Sequence, residues 1–568
     1  MDSFNLLNNS LDKLCKDFNV TLGKGIFPYN FVNKHNINYI GPTPDLKYYN
    51  SNISPSLYKE MNVKNWSLKN ETIIYLKRDL YSLLEILVKF QEHLWFDHNI
   101  EMTESLTISS LAITKYLKYY LRNNKIPLIN SNNVFQFIYS SYYGGITEVY
   151  KPKGDNLNYL DVNSLYPFAS LSFMPGLECK WIESFNSERL DINKLFGIFY
   201  AEVITSDLYI GLLPIKTKSG LIFPNGKFSG VWTSVELQFA KEQGYKIKVI
   251  KGLQFNKQES PFVEYVEELS NQKDSLKGSQ RQIVKSLLNN LLGRFGLNLF
   301  KPVTKTVSKT VMDYILATKE VKTFKEINSN NFLVTYNPIV NKEICETHNL
   351  DYFKVILSEK DGFSKYEMFN NISIAISTFV TAYARVHMHK IKLGILASGG
   401  SIYYSDTDSI VTDLTLNELK SSLGDKIGVK LGQLKMEHLV KKGYFISNKT
   451  YLLITNEGEQ IKKAKGVISD NLSLDDFKSL YYNKTSILTK KLTSEISPGK
   501  GFVKLKKVDV ILNWNSFTKR EKIYNSHNNL WVDTKPLYLD NLTHSIIIHT
   551  PKPLIIYNPN YLCKFSFP

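Results

Sequence analysis

Two distant segments of the chain carry aspartates that could act together on a phosphate group. The segment "IYYSDTDSIV" at residues 402–411 places Asp406 and Asp408 one residue apart, between two short runs of β-forming residues. These runs can pair as an antiparallel hairpin with both aspartates at its tight turn. Asp161, in "NYLDVNSLYPFAS", ends another predicted strand. An isolated D-x-D is also common in surface turns, and a strand-end aspartate is often a cap, so a site requires that the three carboxylates converge.

If these three carboxylates converge, they would form a binding site for divalent cations. Like charges held close together raise each other's pKa unless cations neutralise them. Mg²⁺ prefers oxygen ligands, which carboxylates, phosphates and water supply. Two such ions, about 3.5 to 4 Å apart, can activate an attacking hydroxyl and stabilise a leaving oxygen in phosphoryl transfer. The pattern therefore predicts a metal-assisted site for a phosphoryl substrate.

A basic stripe between the two acidic segments indicates what that substrate is. In "NQKDSLKGSQRQIVKSLLNNLLGRFG", polar residues recur every four positions and would form one ridge of a helix that we predict over about 262–293. Apolar residues fill the opposite side, as an amphipathic helix requires. From Lys277 to Lys285 the axial rise is about 12 Å, enough to run beside a triphosphate. Such a stripe is also typical of a solvated helix face, but its position here favours nucleotide binding. The ridge consists of Lys273, Lys277, Arg281, Lys285 and Asn289.

The overall composition limits the class of protein. Among 568 residues, 70 Lys and Arg outnumber 53 Asp and Glu, which gives a net charge of +17. This excess favours a polyanionic partner, nucleic acid before membrane. The four cysteines contain no CxxC pair, and the spacing of Cys345 and His348 lacks a second pair of ligands, so no zinc site or disulfide framework is predicted. The N-terminus carries no secretion or import pattern. Abundant Asn, Lys, Ile, Tyr and Phe, which have AT-rich codons, indicate an AT-biased genome such as an organellar one.

Several motifs, in order, resemble those of the family B DNA polymerases. "DVNSLYP", "KSLLNNLLGRFG" and "YSDTDS" resemble motifs A, B and C of that family. "YYGG" at 142–145 resembles its Y-x-G-G motif, and "KTY" at 449–451 resembles its primer-contacting K-x-Y motif. The likeness covers most of residues 1–470 and is greatest to the protein-primed polymerases of small bacteriophages and, above all, of fungal mitochondrial linear plasmids. The likeness to these protein-primed polymerases is based on "LLGRFG", "KKAKGV" and "KREKIYNSHN". In motif B, Leu292 replaces the usual tyrosine near the nascent base pair.

The resemblance implies a role for each matching residue. Asp161 and Asp408 would be the principal catalytic metal ligands, with the Val162 carbonyl assisting and Asp406 as a supporting catalytic residue. Tyr166 would lie under the incoming sugar and exclude a 2′-hydroxyl; its ordinary alternative is a buried core tyrosine. The residues expected to bind the nucleotide are Val162, Leu165, Tyr166, Lys273, Arg281, Lys285 and Asn289.

A second implied set would contact DNA. Glycines permit close approach of the backbone to the template, although a structural hairpin is an equally ordinary reason for a glycine pair. Lys449 and Tyr451, two apart on a predicted strand, would point the same way, towards the primer end. Lys463 and Lys465 are further primer contacts or a solvated charge run. The full set is Tyr142, Gly144, Gly145, Lys449, Tyr451, Lys463 and Lys465.

The N-terminal region resembles part of a proofreading exonuclease domain. "YLKRD" at 75–79 matches its third motif, Y-x-x-x-D, on a predicted amphipathic helix over 71–92. Tyr75, Asp79 and Lys24 would be what remains of that site, and "DSF" at 2–4 resembles strand-binding positions. The first two exonuclease motifs would lie upstream of these residues. We therefore expect no 3′–5′ proofreading by this chain alone.

The resemblance implies an α/β (α+β) fold: a right-hand polymerase with palm, fingers and thumb, preceded by the C-terminal part of an RNase H-like 3′–5′ exonuclease domain. From the patterns alone we also predict strand-like segments around 134–151 and 157–166. The implied segments are an exonuclease remnant (1–105), the first part of the palm (106–172), a first insertion like a terminal-protein-binding region (173–258), the fingers (259–298), a second insertion (299–370), the second part of the palm (371–470), and the thumb with a C-terminal extension (471–568).

The expected function is DNA-directed DNA polymerisation, starting from a primer 3′-hydroxyl or a terminal-protein hydroxyl. The expected partners are template and primer DNA, dNTPs and a terminal protein, with no membrane, and the polymerase would be a monomer. Two Mg²⁺ ions would serve as cofactors, with Mn²⁺ as an alternative. The setting would be replication of a linear plasmid in the mitochondrion. The alternative is a catalytically silent DNA-binding remnant of a plasmid polymerase gene. A reverse transcriptase is disfavoured because Tyr166 would guard the sugar position and the turn contains D-T-D.

Overall fold

The computed structural model describes residues 3–33, 35–49, 53–122, 125–129, 132–184, 190–217, 219–297, 301–351, 354–355, 372–497 and 502–540. Predictions that concern Asp2, Cys563, the middle of the second insertion or the end of the C-terminal extension lie outside these residues. The chain divides into two compact units, one of Met1–Arg122 with Glu264–Leu291 and one of Asn123–Val263 with Leu292–Pro568. No helix among the described residues is both long enough and apolar enough to cross a membrane.

Helices and strands alternate irregularly along the chain. The helices are α1 (Leu11–Asp17), α2 (Pro55–Met61), α3 (Leu68–His98), α4 (Ile108–Tyr119), α5 (Asn132–Ser140), α6 (Leu165–Ser170), α7 (Ser234–Glu242), α8 (Val263–Ser275), α9 (Gly278–Phe295), α10 (Lys309–Thr318), α11 (Lys342–Thr347), α12 (Ile374–Ala397), α13 (Leu416–Leu423) and α14 (Leu474–Lys478). The strands are β1 (Ile40–Gly41), β2 (Trp66–Ser67), β3 (Thr147–Val149), β4 (Lys153–Val162), β5 (Met174–Glu183), β6 (Gly197–Ile204), β7 (Ile215–Thr217), β8 (Gly220–Ile222), β9 (Asn225–Thr233), β10 (Lys246–Gln258), β11 (Val303–Ser308), β12 (Lys319–Asn328), β13 (Asn331–Val340), β14 (Ile402–Asp406), β15 (Ser409–Thr412), β16 (Leu434–Ser447), β17 (Thr450–Thr455), β18 (Gln460–Ala464), β19 (Ile487–Ser497), β20 (Phe502–Leu512), β21 (Glu521–Tyr524), β22 (Trp531–Lys535) and β23 (Tyr538–Leu539).

The long helix α3 is the main element of the first unit. The Ser67 side chain caps its start by accepting a hydrogen bond from the Asn70 N–H, and left-handed Asn99 ends it. Ile86, Phe90 and Leu94 recur every four residues on its buried face. The helix predicted over 71–92 is confirmed and extends further at both ends. The expected apolar face was wrong, because Ile74, Leu80 and Leu84 are each more than half exposed.

The basic segment forms two helices where a single helix over about 262–293 was predicted. α8 ends at Ser275 and α9 begins at Gly278, which has a φ of +57°. A left-handed residue cannot continue a right-handed helix, and glycine adopts this conformation without steric cost. The single-helix prediction was wrong because the four-residue repeat continues across the glycine and hides the break.

The second unit is built on a seven-stranded sheet with the order β18-β17-β16-β4-β15-β14-β3. Its neighbouring strands are antiparallel, and all seven come from the two stretches assigned to the palm, 106–172 and 371–470. Apolar side chains of this sheet, including Tyr404, Val411 and Phe445, form a buried cluster. Helix α12 is buried along most of its length and packs against α6, α7 and β14.

Two predicted strand-like segments differ from the structure. The segment 134–151 is mostly helix α5 with the short strand β3, and 157–166 is strand only to Val162, after which α6 begins. In α5, Phe135 and Ile138 are both buried. Their three-residue spacing suits one face of a helix, and this burial outweighs the preference of aromatic residues for strands.

The other sheets belong to separate stretches of sequence. Strands from the first insertion form a five-stranded sheet, β23-β9-β6-β10-β5, in which β23 from near the end of the described chain runs parallel to β9. The second insertion contributes the three-stranded sheet β11-β13-β12, whose core includes Met312 and Ile315 of α10. Two hairpins, β19–β20 and β21–β22, lie in the predicted thumb and C-terminal extension. The segment boundaries themselves remain sequence-based predictions.

Candidate active site

The acidic hairpin has the predicted form. β14 pairs antiparallel with β15, and Thr407 and Asp408 make the two-residue turn between them. Thr407 has a φ of +61°, and the Asp408 N–H donates a hydrogen bond of 2.7 Å to the Asp406 carbonyl. Positive φ values are typical of such tight hairpin turns. The prediction that Asp406 and Asp408 lie at a hairpin tip is confirmed.

The strand that ends near Asp161 lies directly beside this hairpin. β15 pairs with β4 so that Ser409 faces Asp161, and the same Ser409 faces Asp406 on its other side. The Val162 N–H donates to the Asp408 carbonyl over 2.8 Å. Residues directly opposite each other on antiparallel strands point to the same face of the sheet. The strand pairings therefore bring the three aspartates to the same end of three adjacent strands.

Four side-chain donors contact the Asp406 carboxylate, and two of them are closest. The Thr147 hydroxyl donates to its Oδ1 over 2.8 Å, and the Lys449 ammonium lies 2.8 Å from both carboxylate oxygens. The ammonium group neutralises the charge of Asp406 locally, and the threonine fixes the orientation of the carboxylate. Asp406 is thereby positioned to support the other two aspartates, while its own oxygens are engaged within the protein.

Asp408 is in a different electrostatic environment. Burial raises the pKa of its carboxyl group above the usual value, and neighbouring Asp406 raises it further, while a backbone hydrogen bond and Lys449 act in the opposite direction. A buried carboxylate is costly in free energy unless positive charge meets it. A cation at this position would remove the penalty.

The residues present fit a hard divalent cation. Asp161, Asp408 and the Val162 carbonyl supply oxygen donors only, which is the chemistry that Mg²⁺ prefers. Among the described residues, no group of three or more His, Cys, Asp or Glu side chains is gathered as a metal site. Mg²⁺ needs only one or two carboxylates when substrate phosphates and water complete its coordination, so the donor set is sufficient.

Tyr166 lies close to the aspartates. It follows a left-handed Ser164, which has a φ of +53° and turns the chain from β4 into α6. Burial raises the pKa of Tyr166 to about 12; Arg385 opposes this rise, and the negative charge of Asp408 adds to it. The neighbouring Leu165 is buried at the start of the same helix. The carboxylates of the acidic turn are thus close enough to influence the pKa of Tyr166, and its sugar-facing role stays a prediction.

Gly145 allows the Y-x-G-G loop to contact the acidic turn. A Cβ atom added to Gly145 would lie 2.6 Å from Cγ2 of Thr407, the residue between the two aspartates. The Thr407 N–H also donates to the Ile146 carbonyl over 2.7 Å. A Cβ on Gly144 would meet nothing within 4 Å. Of the two glycines, Gly145 is therefore the one that this contact requires.

A buried ion pair that sequence reasoning missed supports the same loop. Arg385 of α12 donates to the carbonyls of Tyr143 and Gly144 and pairs with Glu236 at 2.8 Å. Both charged side chains are only 2% exposed. The one signal in the sequence was an arginine within an otherwise apolar helical run, "STFVTAYARVHM". Its partner, 149 residues away, could not be identified from this pattern.

The K-x-Y motif also differs in detail from the prediction. Lys449 lies in the turn before β17, with a φ of +59°, and only Tyr451 is within the strand. The predicted strand placement was therefore wrong for Lys449, whose side chain reaches Asp406 from the turn. Tyr451 is buried, and the centre of its ring lies 5.0 Å from that of Tyr404. Lys463 pairs with Tyr451 across β17 and β18. Lys463 and Lys465 are both exposed.

The nucleotide-binding stripe is only partly as predicted. Lys277, Arg281, Lys285 and Asn289 are exposed, and the apolar residues between them are buried, so the amphipathic pattern is confirmed. The prediction that Lys273 belongs to this ridge was wrong, because Lys273 lies on α8 and is only 3% exposed. Burial lowers the pKa of Lys273, and Arg281 and Lys285 are close enough to lower it further. The binding roles themselves remain predictions.

The residues of the exonuclease-like motif lie together in the first unit. The Gly25 N–H donates to Asp79 over 3.0 Å, and the Tyr75 and Tyr29 hydroxyls share a hydrogen bond. The Lys24 ammonium lies 5.8 Å from the centre of the Tyr29 ring. In this structure Asp79 anchors the loop that carries Lys24.

Comparison with known proteins identifies the family that this arrangement resembles. The family model described as DNA polymerase type B, organellar and viral, matches residues 1–393. A probable DNA polymerase of Podospora anserina is 43% identical over 576 residues, which cover 99% of this chain and 47% of that protein. A probable DNA polymerase of Neurospora intermedia is 33% identical, and the match covers 90% of this chain and 51% of that protein. The chain thus spans about half the length of these relatives.

The fold also matches a solved structure. Phi29 DNA polymerase, in a ternary complex with primer-template DNA and incoming nucleotide, superposes with a TM-score of 0.60 at 20% identity. The match covers 90% of this chain and 80% of that chain. At this level of identity the likeness shows the fold, and it confirms the predicted right-hand architecture of mixed helix and sheet.

We predict that Gly145→Ala lowers the stability of the protein and that Gly144→Ala, its matched control, changes it little. The added methyl group in Gly145→Ala overlaps Thr407, and overpacking of this kind costs about 1 to 3 kcal/mol. Urea denaturation followed by circular dichroism measures both free energies of unfolding. Equal effects of the two substitutions would contradict the proposed loop–turn contact.

We predict that Asp408→Asn stabilises the protein at neutral pH in the absence of divalent cations. The folded state raises the pKa of Asp408 above its ordinary value, so the destabilising effect is absent below that ordinary value, grows as pH rises from it to the folded pKa, and is complete above the folded pKa. Melting temperatures of wild type and variant should therefore converge at acidic pH and diverge towards pH 7. A constant difference across this range would rule out the carboxylate as the cause.

Proposed function

The chain belongs to the organellar and viral DNA polymerases of type B, and from this premise we propose that it adds deoxynucleotides to a primer 3′-hydroxyl, as directed by a DNA template. The observation that carries the proposal is the strand register in which Ser409 faces Asp161 on one side and Asp406 on the other. This register gathers the acidic groups that phosphoryl transfer requires at one end of the palm sheet.

The residues of the chain position the reactants. Phosphoryl transfer depends mainly on alignment of the attacking and leaving oxygens and on stabilisation of the developing charge. Asp161, Asp408 and the Val162 carbonyl would hold two Mg²⁺ ions, or Mn²⁺ as an alternative. When bound, the ions would favour ionisation of the 3′-hydroxyl and stabilise charge on the transferred phosphate. Lys449 would keep Asp406 neutralised, so that the negative charge of the site lies mainly on the other two aspartates.

Binding of the incoming nucleotide is assigned to two groups of residues. The exposed stripe of α9 that contains Arg281 and Lys285 would supply cations for the triphosphate, and Asn289 would contact the base. Tyr166, half-buried at the start of α6, would occupy the space that a 2′-hydroxyl needs. Discrimination against ribonucleotides would then arise from steric exclusion.

We also propose a biological setting. The description of the family as organellar and viral and the AT-biased composition support replication of a linear plasmid in the mitochondrion. A terminal-protein hydroxyl would act as the first primer. The insertion at 173–258, which contributes four strands to a sheet of its own, is the proposed region for binding that terminal protein.

Primer extension tests the catalytic proposal. The wild-type chain should extend a labelled primer on a defined template with dNTPs and Mg²⁺, and Asp408→Ala should reduce the rate by about 10²- to 10³-fold, the scale expected when a charge-stabilising group is lost. Asp425→Ala is the matched control, because the Asp425 side chain is 96% exposed and its carboxylate lies 4.0 Å from the ammonium group of neighbouring Lys426. Absence of extension by the wild type would instead favour a silent DNA-binding remnant.

Sugar discrimination tests the role of Tyr166. Tyr166→Ala should improve the use of NTPs relative to dNTPs by about 10- to 100-fold, the range that small steric differences in a pocket provide. Tyr166→Phe keeps the ring and should discriminate as the wild type does. The measurement is kcat/KM for a matched NTP and dNTP pair in single-nucleotide extension. Unchanged discrimination by Tyr166→Ala would exclude the tyrosine as the steric gate.

A further inference from the structure

The strand that carries Thr147 is short and lies at the edge of the palm sheet. β3 has three residues, and in the strand order of the described sheet it comes last, beside β14. An edge strand leaves backbone groups unpaired along one side, and three residues form few hydrogen bonds with a neighbour. The hydroxyl of Thr147 nevertheless donates to Asp406, so the position of β3 affects the acidic turn. Contacts from outside the sheet are therefore important for holding this strand.

Thr534 in β22 supplies one such contact. Its hydroxyl lies 2.8 Å from the Tyr150 carbonyl oxygen and 3.3 Å from that of Val149, so its proton can be shared between the two carbonyl groups. All three residues are buried, and none is more than 1% exposed. A buried carbonyl group without a donor costs free energy. The Thr534 hydroxyl therefore anchors the end of β3 from a segment that lies far along the chain.

Arg520, just before β21, fixes Thr534 and meets β3 itself. Its Nε donates to the Thr534 hydroxyl over 2.8 Å, and its Nη2 donates to the Tyr209 carbonyl over 2.7 Å. Its Nη1 lies 3.8 Å from Oε2 of Glu148, and both side chains are at most 2% exposed. Successive residues of a strand point to opposite faces, so Glu148 meets the arginine on the face opposite to that of Thr147. The hairpin β21–β22 thus holds β3 from one face, while the other face supports the acidic turn.

Tyr150, the first residue after β3, is held at both of its ends. Its backbone N–H donates to the Tyr403 carbonyl over 2.9 Å, and its hydroxyl accepts a hydrogen bond of 2.9 Å from Lys392 of α12. The guanidinium carbon of Arg520 lies 4.6 Å from the centre of the Tyr150 ring, a distance at which a cation and an aromatic face attract each other. Displacement of the hairpin would therefore disturb the backbone that leads directly out of β3.

We propose that Thr534 and Arg520 are positioning residues for the polymerase site, because they hold β3 so that the Thr147 hydroxyl stays in contact with Asp406. The inference rests on the proposed polymerase function, and it extends the catalytic centre to the hairpin β21–β22 of the predicted thumb and C-terminal extension. The effect of both residues passes through β3. We therefore expect it to change the geometry of Asp406 and to leave the binding of DNA and nucleotide unaltered.

Thr534→Val tests the proposal with little change of shape, because valine has a methyl group where threonine has its hydroxyl. Hydrogen–deuterium exchange of a peptide covering 402–411, measured by mass spectrometry without DNA or nucleotide, should become about 2- to 10-fold faster, the change in local opening that one hydrogen bond controls. In single-nucleotide extension, kcat should fall by about 10- to 100-fold, as expected for a displacement of up to about 1 Å. The KM for dNTP and the Kd for primer-template DNA should stay at their wild-type values.

Three further variants separate a positioning role from a general effect on packing. Thr534→Ser retains the hydroxyl and should behave as the wild type in both measurements. Arg520→Lys keeps the positive charge beside Glu148 and lacks the planar group that bonds two partners at once, so it should shift exchange and kcat in the same direction as Thr534→Val. Thr147→Val combined with Thr534→Val should lose no more kcat than Thr147→Val alone, because both substitutions act on the same contact.

Thr318→Val is the matched control, because Thr318 is buried to the same degree as Thr534 and its hydroxyl donates to the Tyr314 carbonyl over 2.6 Å. Thr318 ends α10 in the second insertion, and its replacement should leave both measurements unchanged. Unchanged exchange in Thr534→Val, or an equal change in Thr318→Val, would overturn the proposal. Weaker binding of primer-template DNA with normal kcat would also overturn it and make the hairpin a DNA-binding element. Wild-type protein that does not extend a primer would refute the polymerase function, and the exchange measurement would still decide whether Thr534 holds the acidic turn.

Discussion

Repulsion between the neighbouring carboxylates of Asp406 and Asp408 is the interaction that the acidic end of the palm sheet has to accommodate. The pairing of β4 with β15 places Asp161 at the same end of the sheet. The structure meets this cost unevenly: Lys449 and Thr147 engage Asp406, while Asp408 is half-buried and has a raised pKa. Because Asp408 makes no such ion pair within the described part of the chain, its negative charge remains accessible to a divalent cation.

Support for this site comes from elements that make no direct contact with the aspartates. Arg385 and Glu236 form a buried ion pair, and the arginine holds two carbonyl groups of the loop that rests on the acidic turn. Removal of one partner would leave an uncompensated buried charge, which is far more costly than loss of an exposed pair. The position of the turn therefore depends on a helix, a loop and a strand end that are distant in sequence.

Local patterns predicted the central parts of the site, whereas long-range contacts remained hidden. The acidic hairpin was predictable because strand-forming residues flank a two-residue turn, and the exposed stripe of α9 followed from helical spacing. The burial of Lys273 and the break at Gly278 were missed because a repeat of four continues across both. The Arg385–Glu236 pair depends on packing between elements 149 residues apart, which no single sequence pattern records.

The order of strands in the palm sheet has a consequence for biosynthesis. Thr147 and Asp406 share a hydrogen bond although 259 residues separate them. The Thr534 hydroxyl donates to the Tyr150 carbonyl, and these two residues are 384 positions apart. A ribosome that has translated the first insertion has produced β3 and β4 without their partner strands. Domains generally fold as they emerge, so the first insertion can mature early, while the acidic site is assembled late. Prematurely terminated products would consequently lack the acidic hairpin, and the exposed edges of β3 and β4 would make them candidates for chaperone binding.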